Sequence, residues 1–214
     1  MSRALVFDAY GTLYDVHSVI ALCERLWPGK GGALSQLWRT KQLEYTWQRS
    51  LMRRYVPFSQ ITREALGYSC ELLGLALNSQ NEKALLEEYL NLKAYPDVPG
   101  ALDKLKGRKT AVLTNGSPDM IEPLVRNSGL RFDAVLSVDE LKVFKPAPEV
   151  YEFAVQRLQV PKGEIGFVSS NCWDALGAKA FGFAVHWINR AGAPVDRLGF
   201  QPDKIGATLN EVLP

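Results

Sequence analysis

Side chains that build metal sites and cross-links are scarce in this sequence. Three cysteines, Cys23, Cys70 and Cys172, are spread over 214 residues with two histidines, His17 and His186. The cysteines are too few and too scattered for a disulfide framework or a metal site. Long apolar runs are absent as well. None approaches the roughly 20 residues that a transmembrane helix needs, and Asp8 and Asp15 interrupt what would have to be the apolar part of a secretory signal. Neither sign of charge dominates, with 25 Lys and Arg against 23 Asp and Glu and a formal charge of +2. There is no long basic tract, and the aromatics lie among apolar residues rather than between Lys and Arg, so nucleic acid is not an expected partner. The expectation is a protein of the reducing cytoplasm with no membrane or nucleic-acid contact.

What is present describes an ordinary globular chain, 47 % hydrophobic and 22 % charged. It is long enough to bury a core without metal or disulfide staples, as one generous domain or as a core domain carrying a smaller insertion. The chain is organised around Leu5-Val6-Phe7-Asp8-Ala9-Tyr10-Gly11-Thr12-Leu13-Tyr14. Ala4 to Phe7 reads as a buried strand that stops at a carboxylate, a glycine turn and a hydroxyl. In open α/β sheets ligands bind beyond the carboxyl ends of the strands. Asp8 therefore either caps the turn, as Asp commonly does, or stands where chemistry is done.

Beyond Thr12 the spacing of apolar residues is helical for about eighty residues. Helices are predicted over Ser18 to Trp27, ended by Pro28-Gly29 and the flexible Gly31-Gly32, then over Ser35 to Met52, Ser59 to Leu73 and Ser79 to Leu92. The segment Tyr95-Pro96-Asp97-Val98-Pro99-Gly100 closes this region. The rhythm then becomes strand, loop, helix. Strands are predicted at Lys109 to Leu113, Asp133 to Ser137, Ile165 to Val168 and Phe183 to Ile188. Helices are predicted after Ser117-Pro118, at Pro148 to Leu158 and at Trp173 to Phe181. Alternation of this kind argues for crossover units and a parallel sheet. The fold class is thus α/β, a Rossmann-like doubly wound parallel sheet (residues 1–14 and 97–214) with an inserted all-helical cap (residues 15–96) and a cleft between them.

The better strands end in polar residues: Asp8, then Thr114-Asn115, then Ser169-Ser170-Asn171 with Asp174 just beyond. Three such clusters on one sheet edge suggest a site more than three separate turns. Lys145, held extended before Pro146, could reach in and keep a carboxylate ionised. On the long cap helix Arg39, Leu43 and Trp47 share one face. Arg39 either snorkels to the surface or looks into the cleft. Leu13, Tyr10, Leu43 and Phe58 either line an apolar pocket or belong to the core. Cys172 reads as an inert thiol, and His17 and His186 as structural residues.

The Asp8-x-x-Gly11-Thr12-Leu13 start, Thr114-Asn115-Gly116, Lys145-Pro146 and the late Asp174 together resemble the haloacid dehalogenase superfamily over nearly the whole chain. Most of that superfamily carries a second aspartate two positions after the nucleophile, as the acid for a leaving alcohol, and an acidic residue just before the final aspartate, which helps to hold magnesium. Here those places hold Tyr10 and the run Val168-Ser169-Ser170-Asn171-Cys172-Trp173-Asp174. Both departures are similar to the branch that hydrolyses carbon–halogen bonds, the L-2-haloacid dehalogenases.

That resemblance implies a reaction and a set of roles. Asp8 would displace halide from C2 of a short (S)-2-haloalkanoic acid with inversion, and water would hydrolyse the resulting ester to the (R)-2-hydroxy acid. A halide leaves without a proton, so an acid at position 10 is dispensable; what it needs is electrostatic stabilisation. The resemblance assigns that to Arg39, Asn115 and Trp173, whose ring edge carries partial positive charge. Thr114, where serine is commoner, and the amides of Ala9 and Tyr10 would hold the substrate carboxylate. Thr12, Lys145, Tyr151, Ser169, Asn171 and Asp174 would orient Asp8 and the water, with Asp174 as first choice to take the water's proton. No metal or organic cofactor is implied, and a homodimer is. Two rivals stand beside this reading: a magnesium-dependent phosphatase of the same superfamily, and a catalytically silent interaction domain that keeps the fold as a scaffold.

Overall fold

The computed structural model describes residues 2–105 and 107–213. Six strands form one sheet: β1 (Ala4–Phe7), β2 (Lys109–Thr114), β3 (Ala134–Ser137), β4 (Ile165–Ser169), β5 (Ala184–Ile188) and β6 (Lys204–Gly206). Their order is β3-β2-β1-β4-β5-β6, and every neighbouring pair is parallel. β1 and β4 are buried along their whole length, as continuous apolar runs covered on both faces should be. The chain fills one side of β1 with β2 and β3, then crosses to fill the other with β4 to β6. Such a switch of direction leaves a crevice at the carboxyl ends of the central strands. Phe7 pairs with both Val112 and Val168, so Asp8, Thr114-Asn115 and Ser169 all emerge at that edge.

Of the α-helices described between β1 and β2, the first four pack on one another: α1 (Ile20–Leu26), α2 (Gly31–Met52), α3 (Phe58–Leu72) and α4 (Ser79–Glu88). They pack on a stripe that includes Leu34, Trp38, Ile61, Leu66 and Leu85, all buried; each such side chain removed from water contributes about 1.5–3 kcal/mol. Polar ties fix their register. Trp38 Nε1 donates to Thr62 O at 2.8 Å, Gln42 Nε2 to Thr62 Oγ1 at 3.0 Å, and Tyr89 Oη to Gln42 Oε1 at 3.2 Å. The remaining helices, α5 (Val98–Lys104), α6 (Pro118–Ser128), α7 (Pro148–Leu158), α8 (Cys172–Phe181) and α9 (Leu209–Val212), accompany the sheet.

Several boundaries differ from those read in the sequence. α2 starts at Gly31 rather than Ser35, because Glu24 of α1 accepts from Gly29 N at 2.7 Å and from Gly31 N at 2.8 Å. The glycine pair thus opens a helix instead of spacing two apart. α4 ends at Glu88, short of Leu92. Val98-Pro99-Gly100 begins α5, with proline in the first turn where its missing N–H is harmless. β6 is a three-residue, largely exposed edge strand, too short to show a period. On α2 the face of the last turn that meets the rest of the protein is that of Ser50, whose Oγ accepts from Phe144 N at 3.1 Å; Leu51 faces away and is 86 % exposed. Among the described residues no helix is long and apolar enough to cross a membrane.

Candidate active site

Asp8 sits just past β1 with 6 % of its surface exposed. The chain turns back at once: Thr12 N and Leu13 N return to Ala9 O at 3.2 and 2.9 Å. Gly11 makes this possible at φ +90°, a conformation that side chains disfavour. The turn brings Thr12 Oγ1 under the carboxylate, donating to Asp8 Oδ2 at 2.8 Å while it accepts from Ser170 N at 2.8 Å. Asn171 Nδ2 donates to the same Oδ2 at 2.8 Å and to Tyr10 O at 3.0 Å.

The other carboxylate oxygen belongs to Lys145, whose side chain is 1 % exposed. Lys145 Nζ lies 3.0 Å from Asp8 Oδ1 and 2.9 Å from Asp174 Oδ2. Its peptide bond to Pro146 is cis, and its N–H donates to Asn115 Oδ1 at 3.0 Å. Asp174 is wholly buried; it also accepts from Tyr151 Oη at 2.8 Å and from Ser169 Oγ at 3.1 Å. Seven of the residues expected at the site, Asp8, Thr12, Lys145, Tyr151, Ser169, Asn171 and Asp174, therefore form one connected hydrogen-bond network.

Its electrostatics follow from two carboxylates and one ammonium in a dry place. Burial opposes the Lys145 charge, but Asp174 and Asp8 outweigh it and push the ammonium above its usual range. Burial raises Asp174, and the nearby charge of Asp8 adds to this, so that against the pull of Lys145 it is pushed up to about 6. At neutral pH the Asp174 carboxyl is then ionised, but it takes up a proton at a higher pH than an ordinary aspartate does. Burial and the charge of Asp174 raise Tyr151 well above the ordinary phenol range, so it remains a donor.

The other expected residues form looser groups. Arg39 Nη2 reaches from α2 to Tyr10 O at 3.2 Å. Arg39, Leu43, Asn171 and Trp173 line a cavity of about 410 Å³ that also touches His17 and Arg190. Trp173 meets Trp47 of α2 edge-on at 5.4 Å. Thr114 is buried, and its Oγ1 accepts from Gly116 N at 3.0 Å, which leaves its own proton to donate. Tyr10 stacks beside Phe58 at 5.7 Å. Ala9 and Tyr10 engage their carbonyls in the turn, Arg39 and Asn171, while their N–H groups bond to no other described residue. Asn115 joins the network through Lys145 N, which leaves its Nδ2 as the donor, but it does not line the cavity that Arg39 and Trp173 share.

His17 and Cys172, set aside in the sequence, border that cavity but have partners of their own. His17 Nδ1 pairs with Ser35 Oγ at 2.8 Å, and Cys172 Sγ accepts from Asp196 N at 3.4 Å. Arg190 is a further member of this region, not among those expected from the sequence. Its Nη2 donates to Thr12 O at 3.1 Å, its Nη1 to both oxygens of Asp97 at 3.1 and 3.2 Å, and its guanidinium lies 3.9 Å over the Tyr95 ring. One side chain thus braces the turn after Asp8 against the return segment from the helices. It follows β5 directly, so the rule that flagged the other strand ends extends to Asn189-Arg190.

Comparison with known proteins agrees with this geometry. The family model of haloacid dehalogenase-like hydrolases matches residues 2–182. An (S)-2-haloacid dehalogenase of Pseudomonas sp. (strain YL) is 50 % identical over 99 % of this chain and 93 % of its own, and (S)-2-haloacid dehalogenase H-109 of Pseudomonas putida is 50 % identical over 98 % and 96 %. Among solved structures, L-2-haloacid dehalogenase from Xanthobacter autotrophicus with chloropropionic acid covalently bound superimposes with a TM-score of 0.92 at 41 % identity, over 98 % of this chain and 96 % of that one. The chain belongs to the haloacid dehalogenase-like hydrolases and, within them, to the branch formed by the L-2-haloacid dehalogenases.

Proposed function

We propose that the protein hydrolyses short (S)-2-haloalkanoic acids to (R)-2-hydroxyalkanoic acids, with inversion at C2, through an ester on Asp8. The observation that carries this is the Asp8 carboxylate, buried and held by an ammonium, a hydroxyl and an amide, with a tyrosine where a proton donor to a leaving alcohol would stand. Thr12 and Asn171 occupy Oδ2, whereas Oδ1 has only Lys145, so Oδ1 keeps a lone pair for attack on C2. The halide leaves with the bonding pair into the field of Arg39, Asn115 Nδ2 and the Trp173 edge. Water then adds to the Asp8 ester carbonyl as Asp174 takes its proton, with Lys145, Thr12 and Asn171 donating to the oxygens as charge grows. The adduct collapses with cleavage of its bond to the substrate oxygen, and the departing alkoxide takes that proton from Asp174, which leaves the (R)-2-hydroxy acid and, once its own proton is lost to water, the Asp8 carboxylate. A base raised to about 6 is better matched to that task at neutral pH than an ordinary aspartate. Residues 15–96 act in this reading as a cap over residues 1–14 and 97–214, with Arg39 carried on the cap. The working form is a homodimer in the cytoplasm.

The magnesium-dependent phosphatase reading fits the side chains less well. The two oxygens that converge beside the nucleophile, Asp8 Oδ2 and Tyr10 O, are both engaged by the Asn171 amide, and Tyr10 O also receives Arg39. The Asp174 carboxylate faces Lys145, Ser169 and Tyr151 instead. A divalent cation at that point would meet N–H donors in place of a second carboxylate.

The experiment is halide release from each enantiomer of 2-chloropropionate with chelator present, beside phosphate release from an ester with magnesium. Chloride from the S enantiomer alone, unaffected by chelator, is expected. Magnesium-dependent phosphate release would overturn the reading in favour of the phosphatase, and silence in both would favour the scaffold.

A further inference from the structure

Buried polar groups in folded proteins are almost always hydrogen-bonded, so one that is not requires an explanation. The Tyr10 hydroxyl is such a group: the residue is 3 % exposed, and the oxygen has no hydrogen-bond partner among the described residues. Its ring is well fixed, packed against Phe58 at 5.7 Å and Tyr89 at 6.5 Å. The backbone beneath it is fixed too, because Tyr10 O is held by Asn171 and Arg39. The phenol cannot simply swing toward water.

Gly116 shows where the hydroxyl lies. A Cβ on Gly116 would stand 2.7 Å from Tyr10 Cε2, 3.0 Å from its hydroxyl oxygen and 3.3 Å from Thr114 Oγ1. Glycine is therefore needed at 116 for close approach, and the Tyr10 and Thr114 hydroxyls both lie against its backbone. Thr114 Oγ1 already accepts from Gly116 N, so its proton is free, and the Tyr10 proton is unclaimed. Burial keeps the phenol protonated across the working pH range. Two buried O–H donors beside Gly116, neither with an acceptor among the described residues, suit a group with two acceptor oxygens.

We infer that the Tyr10 hydroxyl, together with that of Thr114, donates to the carboxylate of the bound 2-haloacid, making Tyr10 a specificity-determining donor rather than only an apolar wall. This rests on the dehalogenase reading of the site. The carboxylate keeps its charge throughout the reaction, so the bond is made equally in ground and transition states. Its loss therefore appears in KM and not in kcat.

The test is Tyr10→Phe, which keeps the ring and removes only the oxygen. With (S)-2-chloropropionate as substrate, KM is expected to rise about ten-fold or more, the range for a hydrogen bond to a charged group, with kcat within about two-fold. Inhibition by bromide should be unchanged, since halide binds away from this donor. The melting temperature should hold or rise, because a buried oxygen without a partner has been removed. A KM within two-fold of the parent overturns the inference while chloride release by the parent leaves the dehalogenase reading intact. A raised KM accompanied by a lower melting temperature and weaker bromide inhibition overturns it in favour of a structural role. If the parent protein releases no chloride, the dehalogenase reading falls and this inference with it.

Discussion

Replacing Lys145 by Met keeps most of the side chain's volume and removes the one positive charge between Asp8 and Asp174. The ammonium is 3.0 and 2.9 Å from the two carboxylates, and the three side chains are 1 %, 8 % and 0 % exposed, so solvent does little to screen the loss. Removing one partner of a buried ion pair costs about 3–5 kcal/mol. In a chain of this size each kcal/mol moves the melting temperature by about 2–4 °C, so a fall of roughly 6–20 °C is expected at neutral pH. The pH dependence is the sharper part. Asp174 already binds its proton more tightly when folded, at about 6 against an unfolded value of 3.8. A carboxyl raised on folding lowers stability as pH climbs between its two values, because the folded state then holds the extra proton. Lys145 is what pulls Asp174 down, so without it Asp174 is raised further and the window extends above pH 6. The difference between parent and Lys145→Met should therefore be largest near pH 8 and shrink toward pH 5, read from thermal melts across that range. A loss under about 2 °C at pH 7, or one that does not change with pH, would refute the charge balance described for this cluster.

Further outcomes follow from the same geometry. A single turnover in heavy-oxygen water with enzyme in excess should label Asp8, as detected by peptide mass; label in the hydroxy acid alone would exclude the ester, and Asp8→Asn should abolish turnover in a folded protein. Protonation of Asp174 as pH falls through about 6 should give kcat an acid limb there, and Asp174→Asn should lose turnover over the whole pH range. Arg190→Lys cannot hold Asp97 by both oxygens and also reach Thr12 O, so an unfolding free energy lower by about 1–3 kcal/mol is expected in denaturant titration.

The parts of this molecule that the sequence made legible are those where one rule acts locally. Ala4–Phe7 is apolar because both faces of a central parallel strand are covered, and Asp8 is conspicuous because it ends that run. The same reasoning singles out Thr114-Asn115 and Ser169-Asn171, which strand register brings to one edge, and Asp174 in the first turn of the helix that follows. It did not reach β6, whose three residues carry no period, or the start of α2, where Glu24 decides what the glycines do. The reach of Arg39 to Tyr10 O was equally out of view: helical spacing defines a face of α2, but what that face meets depends on how the helices settle over the sheet.

The choice of chemistry at this sheet edge turns on Asn171. An amide offers two protons at nearly fixed positions, and Asn171 Nδ2 uses them on Asp8 Oδ2 and on Tyr10 O, oxygens that in a more acidic setting could share a cation. The amide aligns Asp8 without drawing off its charge as a divalent metal would. Lys145 supplies the one full positive charge that two buried carboxylates need, and it does so from the Oδ1 and Asp174 side, away from the amide. Asp8 is thereby held and aimed without a metal's charge upon it, which suits the proposed displacement at carbon and would leave a phosphoryl group with too little positive charge to spread its own onto. Tyr10 fits the same proposal: a leaving halide needs no acid there, so the position is open to the substrate-recognising side chain inferred above.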